Sequence, residues 1–290
     1  MIPSTTIQDG NGPSGAAPAR VNARRSGGRG RGAARGAVAL VLLALGAQPV
    51  AARLSAEELG QPVSIEDPAG PVGLMTLPPA PAATGTMPAV LLVHDTLGPD
   101  QRSLPYVEQL AAAGLLVLEI APEPDEPDAE VVRRGVAALR AHPGVDPARI
   151  GLLGFGGGAR AAMLATVDQD AFAARALLYP GCAGLLRDLP AAPSRGGLLL
   201  LHGAEDPANA EADCVALAQR LAGGAPTRRV MFRGASYAWD FPSAEPLAPW
   251  LYPAPGDAGR VRIRPWPALT ALSATEVASF FAFALSWGGL

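Results

Sequence analysis

Six apolar runs of β character, separated by stretches of helical length, constrain this chain more than any other feature. The runs are residues 89–93, 115–120, 150–154, 175–179, 197–202 and 228–232. They read as continuous apolar stretches rather than alternations, which suits strands covered on both faces. Helical patterns fall at residues 101–113, 128–141, 157–167 and 209–222, and a last one at 273–287. Strands alternating with helices of this length predict an α/β fold with a doubly wound, mostly parallel sheet. Residues 62–77 read as a short antiparallel pair ahead of the main sheet, and 78–88 as a proline-rich loop. In such sheets the ligand site lies beyond the carboxyl ends of the strands. The residues that follow each strand are therefore the functional candidates.

The first 52 residues read as a leader rather than as fold. Arg20, Arg24, Arg25, Arg29, Arg31 and Arg35 form a basic stretch, residues 37–47 an apolar run, and Val50-Ala51-Ala52 a small-residue cleavage pattern. That order is the layout of a secretory signal. The apolar run falls short of the roughly 20 residues that span a bilayer. An exported protein, periplasmic or secreted, is the expectation, with one domain over residues 53–290 and no membrane span.

Composition removes several chemistries. All 23 basic residues are arginine, and there is no lysine. Schiff-base catalysis and a lysine-bearing phosphate loop are thereby excluded. Three histidines and two cysteines show no metal-ligand spacing, so no metal and no cofactor are expected. A net charge of −3 without charged tails speaks against a nucleic-acid partner.

The third apolar run leads into Gly154-Phe155-Gly156-Gly157-Gly158-Ala159 and then a helix. One reading is a dinucleotide fingerprint, Gly-x-Gly-x-x-Ala. It requires an acid at the end of the next strand, and that strand ends Leu178-Tyr179-Pro180-Gly181. The other reading is a nucleophile elbow, Gly-x-Nuc-x-Gly, whose nucleophile is missing. The middle residue of an elbow takes positive φ, which glycine adopts most cheaply. A glycine-rich tight turn without such ancestry is the plainest alternative.

Together with its neighbours, this turn resembles the elbow of the dienelactone hydrolase family, an α/β-hydrolase fold. Four segments carry the resemblance. Leu91-Leu92-Val93-His94-Asp95-Thr96-Leu97-Gly98 is similar to the family's first oxyanion loop, and Arg149 to Gly158 to its elbow strand. Gly203-Ala204-Glu205-Asp206 stands where the family keeps its acid, and Gly234 to Asp240 where it keeps its histidine. The resemblance implies an ester or lactone hydrolase, but it places Gly156 at the nucleophile position and Tyr237 at the histidine position. A phenol with a pKa near 10 is a poor general base. Asp206 matches the acid.

The oxyanion donors would be the backbone N–H groups of Gly157 and Thr96. They do not depend on side chains, so a site for an anion or carbonyl is expected to survive. Asp95 matches an acid beside the family's nucleophile and, with no nucleophile present, reads as a solvated loop residue. The connection 121–129 is short for the family and implies an open cleft. His202 is the one candidate substitute base; His94 and His142 read as loop residues. Cys182 and Cys214 lie 32 residues apart. Export and the resemblance favour a disulfide, and two separate buried thiols are the alternative.

The expectation is a non-catalytic protein of this family that binds a small carbonyl or carboxylate ligand, or a partner. An active ester or lactone hydrolase built around Asp206 and His202 is the second reading. Oligomeric state is not legible in the sequence.

Overall fold

β3 (Met87–Val93) explains the centre of the molecule, since five successive residues from Ala89 to Val93 have no exposed surface. A strand so apolar must be covered on both faces. In the computed structural model, which describes residues 62–79, 85–121, 128–165, 171–242, 251–256 and 259–286, helices cover both. The expected leader, residues 1–52, lies outside the described residues.

The main sheet has eight strands in the order β1-β2-β4-β3-β5-β6-β7-β8. β1 (Val63–Asp67) and β2 (Gly70–Thr76) form the expected antiparallel pair at one edge. β3, β4 (Leu116–Ile120), β5 (Val145–Phe155), β6 (Ala174–Leu178), β7 (Gly197–Gly203) and β8 (Thr227–Phe232) run parallel. All six predicted parallel strands are present. β5 begins five residues earlier than its apolar run, because Val145 pairs with Met87 across a register shift.

Among the described residues the helices are α1 (Leu104–Ala112), α2 (Asp128–Ala141), α3 (Gly156–Leu164), α4 (Cys182–Asp188), α5 (Glu211–Ala222) and α6 (Pro267–Ser286). The predicted helix at 101–113 divides into a 3-10 turn, Gln101–Ser103, and α1, with Pro105 in the first turn of α1. Asp100 caps the 3-10 turn by accepting from the Arg102 N–H. α4 was not expected; its seven residues lack a readable helical period. The small pair β9 (Leu251–Pro253) and β10 (Arg260–Arg262) was also missed, since three-residue strands carry no pattern.

α6 starts six residues earlier than predicted. It is apolar on nearly all sides, which belongs to buried helices or membrane spans, and it has the length and composition to cross a bilayer. Here Leu269, Ser273, Val277, Phe281 and Leu285, four apart, are buried against the sheet. Its approach requires Gly151 in β5, where a Cβ would stand 2.6 Å from the Phe281 ring.

Candidate functional site

The bend between β5 and α3 has the backbone that its glycines predict. Gly156 sits at φ +47°, in the left-handed region that favours glycine. Gly154 and Gly158 allow the close approach: a Cβ on the first would stand 2.4 Å from the Ala159 Cα, and one on the second 1.9 Å from the His94 carbonyl oxygen. α3 is thus drawn tightly against the start of the β3–α1 connection, and Gly157 faces Asp95 and Thr96.

Asp95 fills the space in front of the bend. Its Oδ1 accepts from the Gly157 N–H at 2.6 Å, the Thr96 N–H at 2.8 Å and the Thr96 hydroxyl at 3.1 Å. Its Oδ2 accepts from the Tyr237 hydroxyl at 2.7 Å and from Arg102 Nη1 at 3.1 Å. Two sequence expectations are corrected here. Asp95 is not a solvated loop acid, since it is 1% exposed. The Gly157 and Thr96 donors do converge, but they hold a carboxylate of the chain itself, so they are not open to an outside anion.

This arrangement also excludes a side chain at Gly156. A Cβ there would meet Tyr237 Oη at 2.0 Å and the Asp95 carboxylate oxygens at 2.4 and 2.5 Å. Tyr237 is fully buried. Burial, reinforced by the neighbouring Asp95, pushes its phenol well above the usual value of 10. It is a hydrogen-bond donor to a carboxylate and cannot serve as a base.

Sequence reading missed the rest of this cluster. Arg102 is 1% exposed and binds Asp95, both oxygens of Asp100, and the Tyr252 hydroxyl at 2.6 Å. Its guanidinium also lies 4.9 Å from the centre of the Tyr252 ring. Behind it, Asp240 accepts from Tyr179 at 2.6 Å and Tyr106 at 2.8 Å. Burial pushes the Asp240 carboxyl up to about 6. An acid between Trp239 and Phe241 was the one local signal; Arg102 and Tyr252 stand 150 positions apart, beyond the reach of any motif.

Asp206, at the family's acid position, follows β7 as expected. It caps the 3-10 turn Pro207–Asn209 by accepting from Ala208 N–H at 2.9 Å, and it holds Asn209 Nδ2 at 2.8 Å. Burial pushes it up to about 6 against those hydrogen bonds. Among the described residues nothing joins it to Tyr237 or His202. The His202 ring receives Arg229 Nη1 on Nε2 at 2.7 Å, so Nδ1 carries the proton in the neutral ring. Burial, and then Arg229, lower its pKa. The pair expected to act together thus points to separate partners.

Cys182 and Cys214 form a buried disulfide with Cα atoms 5.0 Å apart, which resolves the open alternative. Asn209 sits between this staple and Asp206, its Oδ1 accepting from the Gly181 N–H at 2.8 Å. Most of the short connection after β4, residues 122–127, lies outside the described residues. Beside the bend, Thr96, Gly157, Arg160 and Pro255 line a cavity of about 350 Å³.

No protein-family profile and no curated protein matches the sequence. Solved structures do resemble it. Est1E from Butyrivibrio proteoclasticus is 13% identical, with a TM-score of 0.54 over 78% of this chain and 100% of that one. A dienelactone hydrolase-like promiscuous phosphotriesterase from metagenomic libraries is 16% identical, with a TM-score of 0.53 over 78% of this chain and 98% of that one. A thermophilic carboxylesterase cloned from a metagenomic library is 14% identical, with a TM-score of 0.55 over 78% of this chain and 88% of that one. The chain has the α/β-hydrolase fold, which these enzymes share.

Proposed function

We propose that this protein is a non-catalytic member of that fold, a binding protein built on a hydrolase scaffold. One observation carries the reading: the Asp95 carboxylate occupies both backbone donors, Gly157 and Thr96, that would steady a developing oxyanion. Oxyanion stabilisation is among the largest contributions to acyl transfer. A site that spends those donors on its own side chain, and carries no side chain at Gly156, has neither attack nor stabilisation. The ligand we assign to it is a small carboxylate or carbonyl compound in the cavity of about 350 Å³ beside the bend. Arg160 lines that cavity; its Nη2 pairs with Asp188, and its buried Nη1 has no hydrogen-bond partner among the described residues. Guanidinium suits a planar carboxylate. The buried disulfide supports an extracytoplasmic location.

Hydrolysis of p-nitrophenyl acetate and butyrate at pH 7.5 tests the proposal. The expected rate equals that of buffer. Saturable turnover that disappears in Asp206→Ala or His202→Ala would establish the alternative, a rearranged hydrolase site.

A further inference from the structure

The segment that presents Asp95 to the bend presents His94 to a different space. Neighbouring residues of an extended segment point to opposite sides. His94 therefore lines a second cavity of about 470 Å³, together with Val72 and Leu74 from β2, Leu104, Glu119 of β4 and Val131 of α2. This volume and mainly apolar wall are typical of a small-molecule site. Leu74 and Leu104 are about half exposed at its mouth.

One pair on its wall, His94 and Glu119, leaves acceptors without a partner. His94 Nε2 lies 3.1 Å from Glu119 Oε2, and both side chains are largely buried. The Nε2 proton is thus directed at the carboxylate, which leaves Nδ1 of the neutral ring as an acceptor. Neither Nδ1 nor Glu119 Oε1 has a protein partner among the described residues. Two of the donors on the wall are engaged: the Ser103 hydroxyl donates to the Asp100 carbonyl at 3.3 Å, and Arg134 is held elsewhere. Arg134 binds Asp67 and the Gly70 and Pro71 carbonyls. Asp100 is held by Arg102, and Gln101 stands exposed at the rim.

We infer that this cavity binds a primary amine, as its ammonium ion, carried on an apolar body. Such a ligand supplies the donors that Glu119 Oε1 and His94 Nδ1 lack, and its charge complements the carboxylate. Its apolar part lies against Val72, Leu74 and Val131. The cavity does not share its lining with the bend, so this inference stands independently of the proposed function.

Isothermal titration of the full chain at pH 7.5 tests it with three probes of one shape: 2-phenylethylamine, 2-phenylethanol and phenylacetate. The amine is expected to bind saturably and phenylacetate at least about tenfold more weakly, a factor typical of a charge-assisted hydrogen bond. Glu119→Gln is expected to weaken the amine about tenfold and to leave 2-phenylethanol within about twofold. Phenylacetate binding as tightly as the amine, no saturable heat with the amine, or an amine affinity unchanged in Glu119→Gln would overturn the inference. Should Glu119→Gln not fold, the charge series on the unaltered protein decides.

Discussion

The two corners where the resemblance places catalytic groups are built on opposite principles. At the bend, Gly156 and Tyr237 stand where a nucleophile and a base are expected, and charge holds the corner together: Asp95 and Arg102 are both buried and linked. At the acid loop, Asp206 is the expected residue type, yet it acts as a cap for a turn and a partner for Asn209. A covalent staple, Cys182–Cys214, fixes that corner. The difference teaches that residue identity and residue role separate. The bend gathers donors around an anion and fills them with the chain's own Asp95, whereas the acid loop carries an acid that, among the described residues, is joined to neither His202 nor Tyr237.

Breaking the charge should cost most. Asp95→Ala leaves the Gly157 and Thr96 donors and one side of Arg102 buried without their acceptor. Loss of one member of a buried ion pair costs about 4 kcal/mol, and urea denaturation should show it. If Asp95 were a mere loop acid, the change would stay under about 0.5 kcal/mol. At the other corner, replacing both cysteines by serine should cost about 3.7 kcal/mol, by the loop-closure argument for a 32-residue separation. Reductant should reproduce that loss in the native protein and leave the Asp95→Ala cost unchanged, since the two corners do not share partners.

Acidity sharpens the contrast further. Asp206 and Asp240 are each pushed up to about 6 by burial, whereas an unfolded aspartate titrates near ~3.9. Between these values the folded state keeps protons that the unfolded chain releases. Both groups therefore favour folding at low pH and lose that contribution as pH rises through about 6, on the order of 3 kcal/mol each as an upper bound. Asp188, held down to about 2 by Arg187 and Arg160, works in the opposite sense but only in more acid solution. The urea midpoint should fall from pH 5 to pH 7.5, and Asp240→Asn should flatten the fall by about half. A midpoint that rises over this interval would contradict the assignment. Tyr237→Phe is the mildest change. It removes one hydrogen bond to a buried carboxylate and should cost about 2 kcal/mol.

The sequence carried the sheet, the bend and the acid loop because each rests on local pattern: apolar runs, glycine spacing, and a turn after a strand. It could not carry the role of Asp95. Whether an acid beside a bend is solvated or sealed depends on Arg102 and Tyr237, which come from elsewhere in the chain. The same holds for Asp240, whose partners Tyr106 and Tyr179 are 134 and 61 positions away. His94 reads as a loop residue in the sequence because Glu119, its partner, is brought alongside only by the parallel pairing of β3 with β4.

Whether Asp95 closes the anion site can be measured directly. Gly156→Ser with Tyr237→His adds a hydroxyl and an imidazole but leaves the Asp95 oxygens within 2.4 and 2.5 Å of the new Cβ, and a fluorophosphonate probe reports by mass whether the serine reacts. With Asp95 in place the account predicts labelling at the background rate, and labelling above background once Asp95→Gly is added. A double variant that keeps Asp95 and labels as fast as the triple variant would contradict it.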